Sequence, residues 1–228
     1  MPSRHTNQEF ESDLAKLRES ILMMGAKVEK VIRAAVEALM TRDSALAKRA
    51  IADDREINRL ELKIDGACLQ LLAKFQPVAS DLRFITISMK LVTDLERIAD
   101  LGVNICERVI ELNEDPPLKP YVALPNMADV AIGMVHDALD AFVAGDAAQA
   151  KAVIDRDENV DAYYTQIFRE LLTYMMEDAK NIQRAIRLQS IAKYLERIAD
   201  HATNLSEMVI FNVKGTDVRH PGSFNRNP

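Results

Sequence analysis

Leu95-Glu96-Arg97-Ile98-Ala99-Asp100 recurs letter for letter as Leu195-Glu196-Arg197-Ile198-Ala199-Asp200, 100 residues further along the chain. Two more pairs match at the same offset, Asn104 with Asn204 and Glu107 with Glu207. Upstream, the stretch 31–43 matches the stretch 134–146 at an offset of 103 residues. Matches over this length indicate a tandem duplication of one unit, with a shorter loop inside the second copy.

The residues around the first hexapeptide predict a helix. Apolar or small side chains recur there at alternating spacings of three and four, in the series Phe84, Ser88, Leu91, Leu95, Ile98, Gly102, Ile105, Val109 and Leu112. We expect Ser80-Asp81 to cap this helix. Two earlier stretches show the same period, one opening with the capping-box pattern Thr6-x-x-Glu9 and one after Asp43-Ser44. Three amphipathic helices predict one bundle over residues 6–113.

Prolines mark the boundary between the two copies. Pro breaks helix interiors, and the segment 114–125 contains Pro116, Pro117, Pro120 and Pro125. This segment is the predicted linker. We expect a second three-helix bundle over residues 126–215, ended by Gly215, and an irregular tail over residues 216–228. The predicted fold class is all-α, with two tandem three-helix bundles and six helices.

The composition limits the kind of protein. The chain of 228 residues is 48% hydrophobic and 28% charged, as in folded helical proteins. Its net charge of -6 argues against direct binding to nucleic acid or to an anionic membrane surface. No apolar run could span a membrane and no signal pattern opens the chain, so we expect a cytoplasmic protein. Cys68 and Cys106 are expected to be free and buried, with a mutual disulfide as the alternative.

Acidic and amide side chains line one face of two predicted helices in each copy. The third helices carry Glu96 and Asp100 in copy one and Glu196 and Asp200 in copy two. The second helices add Asp54, Asn58, Glu61 and Asp65 in copy one and Asp157 and Asp161 in copy two. Oxygen ligands in such rows suit Mg²⁺, Ca²⁺, Mn²⁺ or oxidised iron. The alternative is a solvated helix face, because the rows point away from the apolar seams.

The sequence argues against a catalytic centre. A di-iron carboxylate oxidase needs Glu-x-x-His elements, whereas Ala99 and Ala199 follow the two glutamates here. The histidines and cysteines match no zinc spacing or catalytic triad, and no Gly-rich phosphate loop is present. His201, whose counterpart is Leu101, is expected to be a surface residue. The alternative function is a metal-carboxylate protein with an enzymatic or metal-storage role.

Two arginines at copy-related positions are the remaining candidates for a binding role. Arg97 and Arg197 could hold phosphate or a carboxylate of a partner protein. The alternative is that each forms a surface ion pair with an acid of its own helix.

At these residues the chain resembles the PhoU family, the bacterial phosphate-specific transport system accessory proteins. The matching segments are the paired hexapeptides, Gln76-Pro77-x-x-x-Asp81-Leu82-Arg83, Leu172-x-Tyr174-Met175-Met176-Glu177-Asp178 and Lys214-Gly215-x-Asp217-x-Arg219-His220. These segments are spread over nearly the whole chain, and together they are specific.

The resemblance implies a structure and a set of metal ligands. It implies two three-helix bundles related by a pseudo-twofold, a homodimer, and E(D)xxxD motifs that hold multinuclear clusters of iron, zinc, manganese or magnesium. On this chain the motifs fall on Glu96 with Asp100, Glu196 with Asp200, Asp157 with Asp161 and Glu61 with Asp65. In the pair Asp54 and Asn58 an amide replaces one acid.

The resemblance also implies a function. It implies a non-enzymatic negative regulator of phosphate uptake and of the phosphate-starvation response. The expected partners are the ATPase subunit of the phosphate ABC transporter and a phosphate-sensing histidine kinase. The protein would then be peripheral to the membrane through its partners.

Overall fold

The chain folds entirely into helices over the part that the computed structural model describes, which is the backbone of residues 4–215 and the side chains of residues 8–215. The helices are α1 (Arg4–Thr41), α2 (Ser44–Phe75), α3 (Ala79–Leu112), α4 (Ala123–Ala144), α5 (Ala147–Ile154), α6 (Asp157–Glu177) and α7 (Ile182–Lys214). A single 3₁₀ turn, Ala179–Asn181, precedes α7. The predicted capping contact of Thr6 and the predicted tail over 216–228 lie outside the described residues.

The predicted fold class is confirmed: α1, α2 and α3 form one three-helix bundle, and α4, the α5–α6 rod and α7 form the other. The fifth of the six predicted helices is interrupted at Asp155 and Arg156. The Arg156 guanidinium bonds to Asp137 of α4 at 2.6 Å and to the Gly133 carbonyl at 3.2 Å. Asp157 and Glu158 then begin α6, where negative charge stabilises a helix N-terminus.

Copy-related caps begin and end the helices. Asp43 accepts the backbone N–H groups of Ala45 and Leu46 at 2.8 and 2.9 Å, and Asp146 caps α5 in the same way. Gly215 ends α7 as predicted, with a φ of 68°, which suits glycine at a helix C-terminus.

The predicted cap of α3 is wrong. Val78 takes the extended N-cap position, at φ -125° and ψ 162°, without a side-chain cap, and the helix begins at Ala79. Ser80 is therefore already inside the helix, where its hydroxyl cannot occupy the cap position. Asp81 lies in the first turn, where its charge still favours the positive end of the helix dipole.

One continuous core joins the two bundles. The predicted apolar series of α3 is buried along its whole length. Gly25 lets α1 approach α4, because a Cβ there would lie 2.2 Å from the Leu139 Cδ1 atom. Cys68 and Cys106 are free and buried in this core, as expected, and burial raises the pKa of each thiol to about 12.

The segment between the bundles is anchored on both sides. Arg42 donates to the carbonyls of Asn113 and Asp115, and Lys119 is buried in an ion pair with Glu170. The helix α4 begins at Ala123, three residues before the boundary that we predicted. Proline is tolerated there because the first N–H groups of a helix have no partner within the helix.

None of the helices within residues 4–215 combines the length and the apolar character needed to cross a membrane.

Candidate functional site

The acidic row of copy one lies in the seam between α2 and α3. The helix α2 contributes Asp54, Asn58, Glu61 and Asp65, and α3 contributes Glu96 and Asp100. All are half-buried except Asp100, which is exposed. The alternative of a solvated helix face therefore holds for Asp100 only, because the other five side chains are half-buried. We call these six residues the first acidic cluster.

Burial and mutual repulsion raise the pKa values in this cluster. Desolvation raises the pKa of Asp54, and the Asp100 charge raises it further, while the hydrogen bond from Asn58 lowers it. Desolvation also raises the pKa of Glu61 and of Glu96, and Asp100 again adds to both shifts. The carboxylates of the two helices therefore repel one another, and a cation among them would relieve the repulsion.

Three oxygens of the first acidic cluster are buried without a hydrogen bond from the described residues. They are Oδ1 of Asp54, Oδ1 of Asn58 and Oδ1 of Asp65. The Asn58 amide donates to Asp54 Oδ2 at 3.2 Å, which leaves its own carbonyl oxygen as an acceptor. A buried acceptor without a partner costs free energy. The amide therefore adds an oxygen to the row, and the fit to a cation does not require an acid at that position.

The second acidic cluster lies between α6 and α7 and consists of Asp157, Asp161, Glu196 and Asp200. Burial raises the pKa of Asp157 to about 6, with further contributions from the charges of Asp200, Asp161 and Glu196. One difference between the clusters is a nearby lysine. Lys193 donates to Glu196 at 2.7 Å, whereas the corresponding residue of copy one is Thr93. The second cluster therefore contains a cationic side chain of its own.

The donor set of both clusters fits a hard cation, because it consists only of carboxylate and amide oxygens. Among the side chains of residues 8–215, however, no three His, Cys, Asp or Glu groups stand in an arrangement that could hold a metal ion. The carboxylates are neighbours, and their side chains would have to rotate to converge on one ion.

The two arginines lie on the face where the bundles meet. The helices α3 and α7 run antiparallel, since Asp94 contacts His201 at 2.9 Å and Glu111 contacts Arg187 at 3.1 Å. A groove of about 500 Å³ between them is lined by four copy-related pairs. These pairs are Arg97 with Arg197, Asp100 with Asp200, Leu101 with His201 and Asn104 with Asn204. We call this the twofold groove.

The hydrogen bond between Asp94 and His201 was not predicted. Asp94 is 7% exposed, and the His201 side chain, which lines the groove, is 20% exposed, so His201 is half-buried and paired where we expected a surface residue. The signal in the sequence is asymmetry between the copies, because the corresponding pair is Tyr194 and Leu101. Each pair takes one residue from each copy, and a polar pair on one side of the twofold corresponds to an aromatic and an aliphatic residue on the other.

The comparisons with known proteins agree with the duplicated architecture. The family model described as "PhoU domain" matches residues 21–109 and 124–209. A "Phosphate-specific transport system accessory protein PhoU homolog" from Pseudomonas putida is 44% identical over 96% of this chain and 86% of its own length. The Escherichia coli protein named "Phosphate-specific transport system accessory protein PhoU" is 37% identical over 96% of this chain and 91% of its own length.

Two solved structures have the same fold. The crystal structure of PhoU from Pseudomonas aeruginosa superposes with a TM-score of 0.86 at 42% identity, covering 91% of this chain and 100% of the other. The phosphate transport system regulatory protein PhoU from Streptococcus pneumoniae gives a TM-score of 0.85 at 31% identity, covering 92% of this chain and 100% of the other.

Proposed function

This chain belongs to the PhoU family, and we propose that it is a non-enzymatic negative regulator of phosphate uptake and of the phosphate-starvation response. The observation that supports the proposal is similarity over 96% of the chain to proteins named as accessory proteins of phosphate transport. We further propose a cytoplasmic location. There the protein would bind the ATPase subunit of a phosphate ABC transporter and a phosphate-sensing histidine kinase.

A gene deletion tests this function. Deletion in the host should raise the expression of phosphate-starvation genes in phosphate-rich medium, and the intact gene should restore repression. Expression that stays unchanged in the deletion strain would refute the regulatory role. Co-purification from cells moved between high and low phosphate would then identify the partners, because transporter and kinase subunits should be recovered in a phosphate-dependent ratio.

We also propose that the two acidic clusters bind metal ions. The ligands would be Glu96, Asp100, Asp54, Asn58, Glu61 and Asp65 in copy one and Glu196, Asp200, Asp157 and Asp161 in copy two. Support comes from the unpartnered buried oxygens of copy one and from the mutual repulsion within both clusters. An oxygen-only donor set favours magnesium, manganese or oxidised iron over zinc. Bound cations would supply positive charge that neutralises each cluster.

Elemental analysis tests the metal proposal independently of the regulatory role. Protein prepared without chelator should contain a bound metal that is lost in D100N/D200N. The matched control is E11Q/D129N, which removes two exposed acids outside the clusters. Two results would contradict metal binding by the clusters. One is a negligible metal content of the unmodified protein after exposure to millimolar metal, and the other is an equal loss of metal in both variants.

The homodimer is a further proposal that rests on membership of the family. Sedimentation equilibrium of the full chain should give twice the mass of 25.6 kDa at micromolar concentration. A monomer at all concentrations would contradict it.

A further inference from the structure

The two arginines of the repeated hexapeptide, Arg97 and Arg197, both line the twofold groove. Asp94 of α3 lies against His201 of α7. Arg97 is one helical turn after Asp94, and Arg197 is one turn before His201. Because α3 and α7 are antiparallel, these steps lead toward the same point from opposite sides. The duplication therefore places both arginines in one surface groove, at nearly the same level along the two helices.

Among the described residues, these two arginines make only one ion pair in total. The Arg97 side chain is 61% exposed, and its nearest acid is Asp94 at 3.8 Å. That carboxylate already accepts a hydrogen bond from His201. Arg197 is exposed and forms no ion pair with the described residues. Two like charges in one groove repel each other, and an anion that bridges them would reduce this repulsion.

The surroundings limit the anion to a compact one. Asp100 and Asp200 also line the groove, each three residues after an arginine on its own helix. Each belongs to the acidic cluster of its own bundle, so an anion too large to stay between the arginines would approach negative charge. Further out, the side-chain amides of Asn104 and Asn204 make no hydrogen bond with the described residues. The groove thus offers positive charge from the two arginines, and its two carboxylates would repel a larger anion.

We propose that the twofold groove binds one compact tetrahedral oxyanion of the inorganic phosphate class between Arg97 and Arg197. Guanidinium groups suit such an ion because each can donate two parallel N–H bonds to its oxygens. Both halves of the duplicated chain would contribute one arginine, so the ion would join α3 to α7. The inference goes beyond the proposed function and can fail separately from it, since it concerns binding by the purified chain alone.

Equilibrium binding of radiolabelled inorganic phosphate tests the proposal. The full chain is used both as purified and after dialysis against a chelator, so that phosphate held by bound metal is recognised. We expect saturable binding that persists after chelation, and in R97Q/R197Q at least a tenfold loss of affinity, about 1.4 kcal/mol. The matched control R33Q/R169Q removes two exposed arginines outside the groove and should bind as the unmodified chain does.

Further measurements decide the chemistry and the source of the ion. R97K/R197K keeps both positive charges but loses the parallel N–H donors of the guanidinium groups. Its affinity for phosphate should therefore lie between those of the unmodified chain and R97Q/R197Q. O-phosphoserine should bind more weakly than inorganic phosphate, because its organic group would approach the flanking carboxylates. Tighter binding of phosphoserine would overturn the assignment to a free ion. No saturable binding up to about 10 mM phosphate, or an equal loss in R33Q/R169Q, would overturn the site.

Discussion

Replacing Asp157 with Asn should stabilise the metal-free protein at neutral pH. The pKa of the Asp157 carboxyl is raised from 3.8 to about 6 by burial and by three neighbouring carboxylates. A shift of this size corresponds to about 3 kcal/mol, and solvent screening at this partly exposed site reduces it to about 1 kcal/mol. D157N removes the charge and keeps the shape, so the repulsion should disappear.

The pH dependence follows from the sign of the shift. A folded-state pKa above the unfolded value means that the proton binds more tightly in the folded chain. The penalty is therefore absent below about pH 4, grows as pH rises toward 6, and is complete above it. D157N should gain about 1 kcal/mol at pH 7.5 and nothing at pH 4, which is a rise of about 2–4 °C in Tm at the higher pH.

A substitution at the neighbouring residue, E158Q, is the control for the helix-dipole contribution to stability. Asp157 and Glu158 both lie in the first turn of α6, where a negative charge contributes about 0.3–1 kcal/mol. E158Q loses this contribution at an exposed position, so the difference between D157N and E158Q isolates burial and repulsion. Urea unfolding of chelator-treated protein at several pH values measures both variants. A D157N chain no more stable than E158Q at pH 7.5, or a difference independent of pH, would show that burial and repulsion of the Asp157 carboxylate do not destabilise the fold.

Three further substitutions probe the contacts between helices. In G25A the Leu139 Cδ1 methyl must move away from the new Cβ, at a cost of about 1–3 kcal/mol against a gain of about 1 kcal/mol in helix propensity, so the net loss should be at most about 2 kcal/mol. Urea unfolding of G25A/L139A should show a loss smaller than the sum of the two single losses. H201L should lower the free energy of unfolding by about 1–3 kcal/mol, because it leaves buried Asp94 without its main partner. D94Y/H201L, which places at each position the residue found at the copy-related position, should recover part of that loss in thermal unfolding. K193M should increase the affinity of the second acidic cluster for Mn²⁺ in calorimetric titrations, and an affinity equal to that of the unmodified chain would contradict a competing role for this lysine.

The periodicity of the sequence predicted the helices well because core burial depends on local spacing. The apolar series of α3 and the Asp43 cap both follow from residues within a few turns of one another. The break at Arg156 could not be predicted in this way. It accompanies a hydrogen bond to Asp137 on a different helix, and the residues of copy one at the same point continue as helix.

The candidate site, like the fold, could be predicted from the sequence only where it depends on residues of a single helix. The spacing of acids placed each row on one helix face, but spacing within a helix says nothing about the neighbouring helix. Packing of α2 against α3 makes the rows half-buried and couples Asp54 and Glu61 to Asp100. The contact between Asp94 and His201 joins residues 107 positions apart, and a comparison of the two copies was the signal that could have indicated it.

The differences between the copies explain why one duplicated motif gives two unequal sites. In copy one the row continues along α2 to Asp65 and leaves three buried oxygens without donors. In copy two Tyr164 and Phe168 stand where copy one has Glu61 and Asp65, and Lys193 supplies positive charge to Glu196. The first cluster therefore has more oxygen acceptors and no lysine of this kind. Since Asp100 and Asp200 also line the twofold groove, neutralising either cluster would weaken the negative charge that flanks the arginine pair. Cations in the clusters and an oxyanion between the arginines should therefore favour each other's binding.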